Sequence, residues 1–375
     1  MNFSHIIGQE RVKARLLQQA QTDRLPHALM LAGPEGTGKL ALALALGRHL
    51  LCDHPSGDAP CEQCPSCRMS ATWAHPDLHF SFPVIKKKST DQPVSDDFLP
   101  QWREQLAHTP YFSPAGWLAR LGAENQQLQH YVGESDSLQQ KLALKASQGG
   151  RRVVIQWLPE KMPEATANKL LKLIEEPPAR THFILVSAEP DQVLGTIQSR
   201  TQRISVPPLA EDEIRDALQS RQALPPEQAR HVAHLALGSW ARAQELLLPG
   251  GEEREYFDLF VSVMRLAYTR KVKDMRQWSE QVAKMGRERQ KSLLAYSQRL
   301  VRENFMYNFP AAAQLTYLSH QEADFAQKFA RFIHERNIIP LMETLADCER
   351  DIEQNVNPRM VFFDLSIKLI LLLKA

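Results

Sequence analysis

A chain that carries Gly33-Pro34-Glu35-Gly36-Thr37-Gly38-Lys39-Leu40 directly after His27-Ala28-Leu29-Met30-Leu31-Ala32 has few ways to fold. The apolar run reads as a short buried strand. Leu40 to Leu51, rich in Leu and Ala and broken only by Gly47, reads as the helix that follows. Strand, glycine loop and helix in that order make a phosphate-binding loop: the glycines let backbone N–H groups converge on phosphate oxygens, the helix points its positive end at them, and the lysine reaches the outer phosphates. Gly33, Gly36, Thr37, Gly38 and Lys39 are therefore the candidate nucleotide-binding residues. The last position breaks the pattern. A Ser or Thr hydroxyl normally holds Mg²⁺ there, and Leu40 has none, so ATP is expected to bind weakly or not at all.

A second ATPase element departs in the same way. Arg152-Val153-Val154-Ile155-Gln156-Trp157 begins as a buried strand, which an active enzyme would end with an acidic pair that positions Mg²⁺ and the attacking water. Trp157 and Leu158 stand where those acids are needed. Glu160 lies beyond Pro159 and is expected to point away from the phosphates. Two losses at one metal site describe a chain that kept the ATPase fold and gave up its chemistry.

Further along come five stretches in a fixed order. They are Phe3-Ser4-His5-Ile6-Ile7-Gly8-Gln9, Arg24-Leu25-Pro26-His27-Ala28, the glycine loop, Ala167-Asn168-Lys169-Leu170-Leu171-Lys172-Leu173-Ile174-Glu175-Glu176-Pro177-Pro178, and Thr196-Ile197-Gln198-Ser199-Arg200-Thr201. Together they resemble the AAA+ clamp-loader ATPases of bacterial DNA polymerase III, most closely the delta-prime type, over roughly residues 1 to 250. That resemblance implies a degenerate nucleotide site and a hetero-oligomer with gamma/tau-type and delta-type subunits. The assembly would load a sliding clamp onto primed DNA as part of a polymerase holoenzyme, a nucleotidyltransferase. The resemblance also places Arg200 where an arginine finger reaches a neighbour's ATP site. Two positions depart from the family pattern: Thr201 replaces a cysteine, and in Gly238-Ser239-Trp240-Ala241-Arg242 the nucleotide-sensing position falls on Ala241 with Arg242 one step off.

Cys52, Cys61, Cys64 and Cys67 fall in one short segment and can supply four thiolates. Disulfides and an iron–sulfur cluster compete with a closed Zn²⁺ site. Disulfides are disfavoured because Met1-Asn2-Phe3-Ser4 runs straight into a folded motif, with no signal peptide expected. Close Cys-x₂-Cys spacing also suits iron–sulfur ligation, though nothing else in the chain suggests electron transfer. The clamp-loader resemblance implies structural zinc. His54, His75 and His79 read as surface or core histidines, and Cys348 as a small buried hydrophobe.

With 375 residues, 43% of them apolar, and no apolar run that would span a bilayer, the expected product is two or three domains in the cytoplasm. With a net charge of only +2, a general electrostatic grip on DNA is not written into the composition, and any DNA contact would have to come from local basic faces. The fold class expected is α/β: a P-loop AAA+ parallel sheet with helices on both faces over residues 1–208, then a helical lid over 209–250, then an all-α C-terminal collar over 252–375. Strands are expected near Ala28–Ala32, Leu78–Phe82, Val153–Trp157, Phe183–Ser187 and Arg203–Val206. The zinc module, 52–67, interrupts the first domain, and a segment at about 83–129 reads as an insertion. Lys86-Lys87-Lys88 with Trp102, Tyr111, Phe112 and Trp117 offers charge and stacking for single-stranded nucleic acid, but a solvated loop followed by helices whose aromatics pack on the domain accounts for it better. Pro249-Gly250-Gly251 is the expected domain boundary. The final stretch from Met360 to Leu373 is apolar on more than one face and should be buried on most sides.

Two other functions remain on these residues: an active gamma/tau-type clamp-loader ATPase with a rebuilt metal site, and a zinc-stabilised nucleotide-binding regulator.

Overall fold

The structure is a computed structural model that describes residues 1–374 apart from 58, 87–90, 124–125, 148–149, 248–251 and 310–315. Lys87, Lys88 and the Pro249–Gly251 turn lie outside the described residues. The chain divides into two compact units, Met1–Leu121 with Leu128–Ala243, and Gly122–Gln127 with Gln244–Ala375. Among the described residues no helix is long and apolar enough to cross a membrane.

The first unit is built on a five-stranded parallel sheet. In chain order its strands are β1 (Ala28–Ala32), β2 (Leu78–Ser81), β3 (Arg152–Trp157), β4 (Thr181–Ser187) and β5 (Gln202–Ser205); in space they run β2-β3-β4-β1-β5. All five residues of β1 are buried, as a continuous apolar run must be when helices cover both faces of a parallel sheet. Pairing is in register from Ala28 against Phe183 to Ala32 against Ser187 on one side, and from Leu29 against Gln202 on the other. At the edge, β5 exposes Gln202, Arg203 and Ser205, polar groups that discourage further strand pairing. After β1 the chain crosses over β4 and β3 to reach β2. The carboxyl end of β1 is therefore a point where strand order reverses, the usual place for a ligand crevice in such sheets.

Helices α1 (Glu10–Gln21), α2 (Lys39–Leu51), α3 (Pro65–Ala71), α4 (Leu99–His108), α5 (Pro114–Arg120), α6 (Val132–Ala143), α7 (Glu164–Glu175) and α8 (Gly195–Gln198) accompany the sheet. Every residue of α2 is buried, which fits its lack of a polar face. The segment from Pro83 to Gln129 is clasped at its neck by an antiparallel bridge between Val84 and Gln129. Its aromatics pack inward, as expected. Phe82 stacks on Trp102 with ring centroids 4.1 Å apart, and the Trp117 indole N–H donates to the Pro83 carbonyl at 3.1 Å. Lys86 lies over the Tyr131 ring at 4.7 Å. The unit closes with α9 (Glu211–Gln222), α10 (Pro226–Leu235) and the start of α11 (Trp240–Leu247).

The second unit contains α12 (Glu252–Thr269), α13 (Val272–Ala283), α14 (Arg287–Tyr307), α15 (His320–Phe329), α16 (Ile338–Glu353) and α17 (Pro358–Leu372). Its core gathers Phe260, Trp278, Leu300, Leu341, Ile352 and Phe362. Cys348 is buried in α16, as expected, and burial pushes its thiol up to about 12. The expectation that α17 is buried on most sides is corrected: Met360 and Leu371 are each 69% exposed. Packing from α12, α13 and α16 covers one side of the helix. A spacing of eleven residues puts Met360 and Leu371 together on the other.

Candidate functional site

The glycine loop sits between β1 and α2, as its sequence requires, and keeps the backbone shape of a phosphate nest. Gly36 and Gly38 have φ of 73° and 95°, left-handed conformations that glycine adopts without strain. The space above the loop, however, is filled by the protein. A Cβ on Gly36 would stand 1.9 Å from the Ser239 hydroxyl, and one on Gly38 would stand 3.2 Å from the Tyr111 ring. The Trp240 N–H donates to the Gly36 carbonyl at 2.9 Å, and the Tyr111 hydroxyl accepts from the Ile7 N–H at 3.1 Å. On the sheet side, a Cβ on Gly33 would meet the Val206 carbonyl at 2.0 Å. Thr37 is buried, and its hydroxyl donates to the Pro34 carbonyl at 3.0 Å.

Lys39 turns back onto its own loop. Its amine donates to the Gly33 carbonyl at 2.6 Å and also to the Pro34 carbonyl. Burial lowers the amine to about 8, while Glu35 and Glu160 pull the other way. Glu160 is no substitute for the missing acids, since its carboxylate accepts from the N–H groups of Ala188 at 2.8 Å and Glu189 at 3.2 Å. Trp157 ends β3 as a buried side chain, 5.3 Å from the Trp102 ring and 5.0 Å from Phe112 by centroids. Leu158, also buried, takes φ of 54°.

What remains between loop, strand ends and insertion is a cavity of about 30 Å³ lined by Lys39, Leu40, Tyr111, Phe112, Trp157 and Leu158, among others. Small-molecule sites occupy roughly 300–1,000 Å³. The space left beside Lys39 in this conformation is about a tenth of the lower figure.

Three participants were not legible as parts of the site. Tyr111 and Phe112 stood out only as insertion aromatics, and their descent onto the loop depends on tertiary folding. His130 gave no signal at all. It is fully buried, with Nε2 3.1 Å from the Trp157 carbonyl and 3.2 Å from the Leu158 carbonyl, and desolvation lowers it to about 4. A neutral ring that donates to these carbonyls holds the end of β3 in its turned conformation. Ala241 stands against the loop, 3.0 Å from where a Gly36 Cβ would lie.

The four cysteines come together. Their sulfurs all lie within 4.8 Å of one another, and Cys61 and Cys67 are 3.9 Å apart. A tetrahedron with Zn–S bonds near 2.3 Å has edges of about 3.8 Å, so the set fits zinc. Backbone N–H groups support the sulfurs: Cys61 N–H points at Cys52 Sγ (3.2 Å), Cys64 N–H at Cys61 Sγ (3.4 Å) and Cys67 N–H at Cys64 Sγ (3.3 Å). The N–H groups of Gln63 and Cys64 lower the Cys61 thiol to about 6, whereas burial raises Cys52 and Cys67. None of His54, His75 and His79 joins this group. Together the sulfurs can hold one metal ion.

Arg200 follows α8 just before β5. Its guanidinium pairs with Glu175, donates to the Thr196 carbonyl at 2.9 Å, and leaves 36% of the side chain exposed.

A parallel sheet with a glycine loop at the end of β1 and a helical group packed over that loop defines a P-loop domain of the AAA+ kind. A family model described as DNA polymerase III, delta subunit, matches residues 8–210. The chain therefore belongs to that family, within the clamp-loader proteins and of the delta-prime type. The DNA polymerase III subunit delta' of Bacillus subtilis (strain 168) is 29% identical over 240 residues, 64% of this chain and 59% of that protein. Its counterpart in Escherichia coli (strain K12) is 31% identical over 188 residues, 50% of this chain and 44% of that protein. The gamma/tau subunit of Mycobacterium tuberculosis (strain H37Rv) is 28% identical over 200 residues, 53% of this chain and 28% of that protein. The chain spans about half the length of the delta' relatives it matches.

Proposed function

We propose that this chain is a non-hydrolysing, delta-prime-type subunit of a DNA polymerase III clamp loader. In that assembly it stands beside gamma/tau-type and delta-type subunits, supports ATP-dependent loading of the sliding clamp onto primed DNA, and supplies Arg200 to a neighbour's ATP site. One contrast carries the reading: the chain's own metal positions are Leu40, Trp157 and Leu158, while Arg200 is kept, partly exposed. The pairing of Arg200 with Glu175 is compatible with that role. A solvent-exposed ion pair contributes only about 0–1 kcal/mol, so exchanging Glu175 for a phosphate costs little. The exposed Met360 and Leu371 on α17 suit a collar that packs against other subunits. The four cysteines hold one structural Zn²⁺, since a closed set of thiolates leaves no coordination position for water.

The experiment is co-purification of the chain with gamma/tau-type and delta-type subunits from the same cell, with ATP turnover measured on the chain alone and on the complex. Association and a silent isolated chain are expected. Turnover by the isolated chain that depends on Lys39 would identify a gamma/tau-type ATPase, and failure to associate would identify a free-standing regulator.

A further inference from the structure

The 83–129 insertion has no role in the reading above. Yet it is this segment that delivers Tyr111 onto Gly38 and Phe112 onto Trp157. We infer that Tyr111 and Phe112 are the occupants of the nucleotide pocket: the insertion is an internal plug that excludes nucleotide and ties the helical group to the loop in its place. In a nucleotide-binding loop, ligand phosphates take up the lysine amine and the backbone N–H groups. Here the Lys39 amine is taken by the Gly33 and Pro34 carbonyls, and the Tyr111 ring covers Gly38.

The contacts of Tyr111 join three parts of the first unit. Tyr111 touches the loop at Gly38, the amino-terminal segment through the Ile7 N–H, and the start of α11 through an edge contact with Trp240 at 6.5 Å. From the other side, Phe112 and Trp102 meet Trp157 at the position of the lost acids. The tryptophan at the end of β3 and the insertion are therefore complementary: an aspartate there would lie among aromatic rings, and an insertion without Trp157 would leave a void under Phe112. Plug and lost metal site form one packed unit, independent of whether the chain acts within a clamp loader.

The test is equilibrium binding of a fluorescent ATP analogue to the full chain, with and without Mg²⁺. Four forms are compared: wild type, Leu40→Thr, Tyr111→Ala/Phe112→Ala, and the triple variant. Wild type and Leu40→Thr should show no saturation up to about 1 mM, the range of negligible specific affinity. The triple variant should bind at least about ten-fold more tightly than Leu40→Thr, a change of about 1.4 kcal/mol. Micromolar binding by wild type, or no gain in a folded triple variant, overturns the plug. Should the plug variants fail to fold, hydrogen exchange of the Gly36–Leu40 amides in wild type decides. Slow exchange unchanged by 1 mM ATP analogue supports the plug, and nucleotide-dependent protection refutes it.

Discussion

Replacing Trp157 with aspartate looks on paper like a repair of the ATPase. The structure predicts the opposite outcome. Trp157 is 4% exposed, with its ring against Trp102 and Phe112 at 5.3 and 5.0 Å. Truncating a buried aromatic costs about 3–5 kcal/mol, of which each aromatic pair supplies about 0.5–1.5 kcal/mol. A carboxylate in the vacated space must also be desolvated or protonated, which adds further cost. A loss of at least about 4 kcal/mol is a large share of the roughly 5–15 kcal/mol that holds a domain folded. Far-UV circular dichroism through urea unfolding should show a much lower midpoint for the first unit, with no ATP turnover gained. Trp157→Phe, which keeps an aromatic ring, should lose far less. A Trp157→Asp protein with a wild-type midpoint, or with measurable ATPase activity, would refute the packing argument.

Other outcomes follow from the same structure. Metal analysis should find about one zinc per chain, and Cys61→Ser/Cys64→Ser should lose it together with thermal stability; no zinc, or an iron–sulfur absorption band, contradicts the four-thiolate site. His130 is lowered to about 4 by burial against an ordinary value of 6.5, so the unfolded chain binds the proton more readily. Stability is then complete above about 6.5 and falls as pH drops toward 4, by about 3 kcal/mol from this residue at 1.36 kcal/mol per unit. His79, lowered to about 4 by burial, acts in the same direction, and pH-dependent urea midpoints that stay flat from 6.5 to 4 would contradict both. Lys39→Ala should lower stability through the lost bonds to Gly33 and Pro34, yet leave hydrolysis by the assembled complex nearly unchanged; a collapse of that hydrolysis would assign Lys39 a catalytic part.

Much of the first unit was legible because its signals are local. The Ala28–Ala32 run is apolar at every position, so a buried parallel strand followed from the residues themselves, and the glycine loop fixed what came next. The cysteines were legible through spacing, since Cys61, Cys64 and Cys67 follow one another so closely that their sulfurs converge as α3 begins. The filling of the pocket was not legible. It depends on Tyr111 meeting Gly38 and on Ser239 meeting Gly36, pairs far apart in sequence that only tertiary folding brings together. The exposed side of α17 is hidden from the sequence for a related reason: apolar composition shows that a helix seeks cover, not which side finds it within one chain. A lone histidine outside any motif, such as His130, carries no sign in the sequence that it will be sealed beneath the end of a strand.

The central claim is that a subunit without its own chemistry completes a neighbour's site, and Arg200 tests it most directly. The measurement is ATP turnover and clamp loading by a reconstituted complex that carries Arg200→Ala, alongside wild type and Arg200→Lys. Arginine fingers supplied in trans are worth about 10³–10⁵ in rate at the site they serve. The account predicts an intact complex in which turnover and loading fall, with little rescue by lysine, whose point charge lacks the planar fork. Undiminished turnover and loading with Arg200→Ala would contradict it.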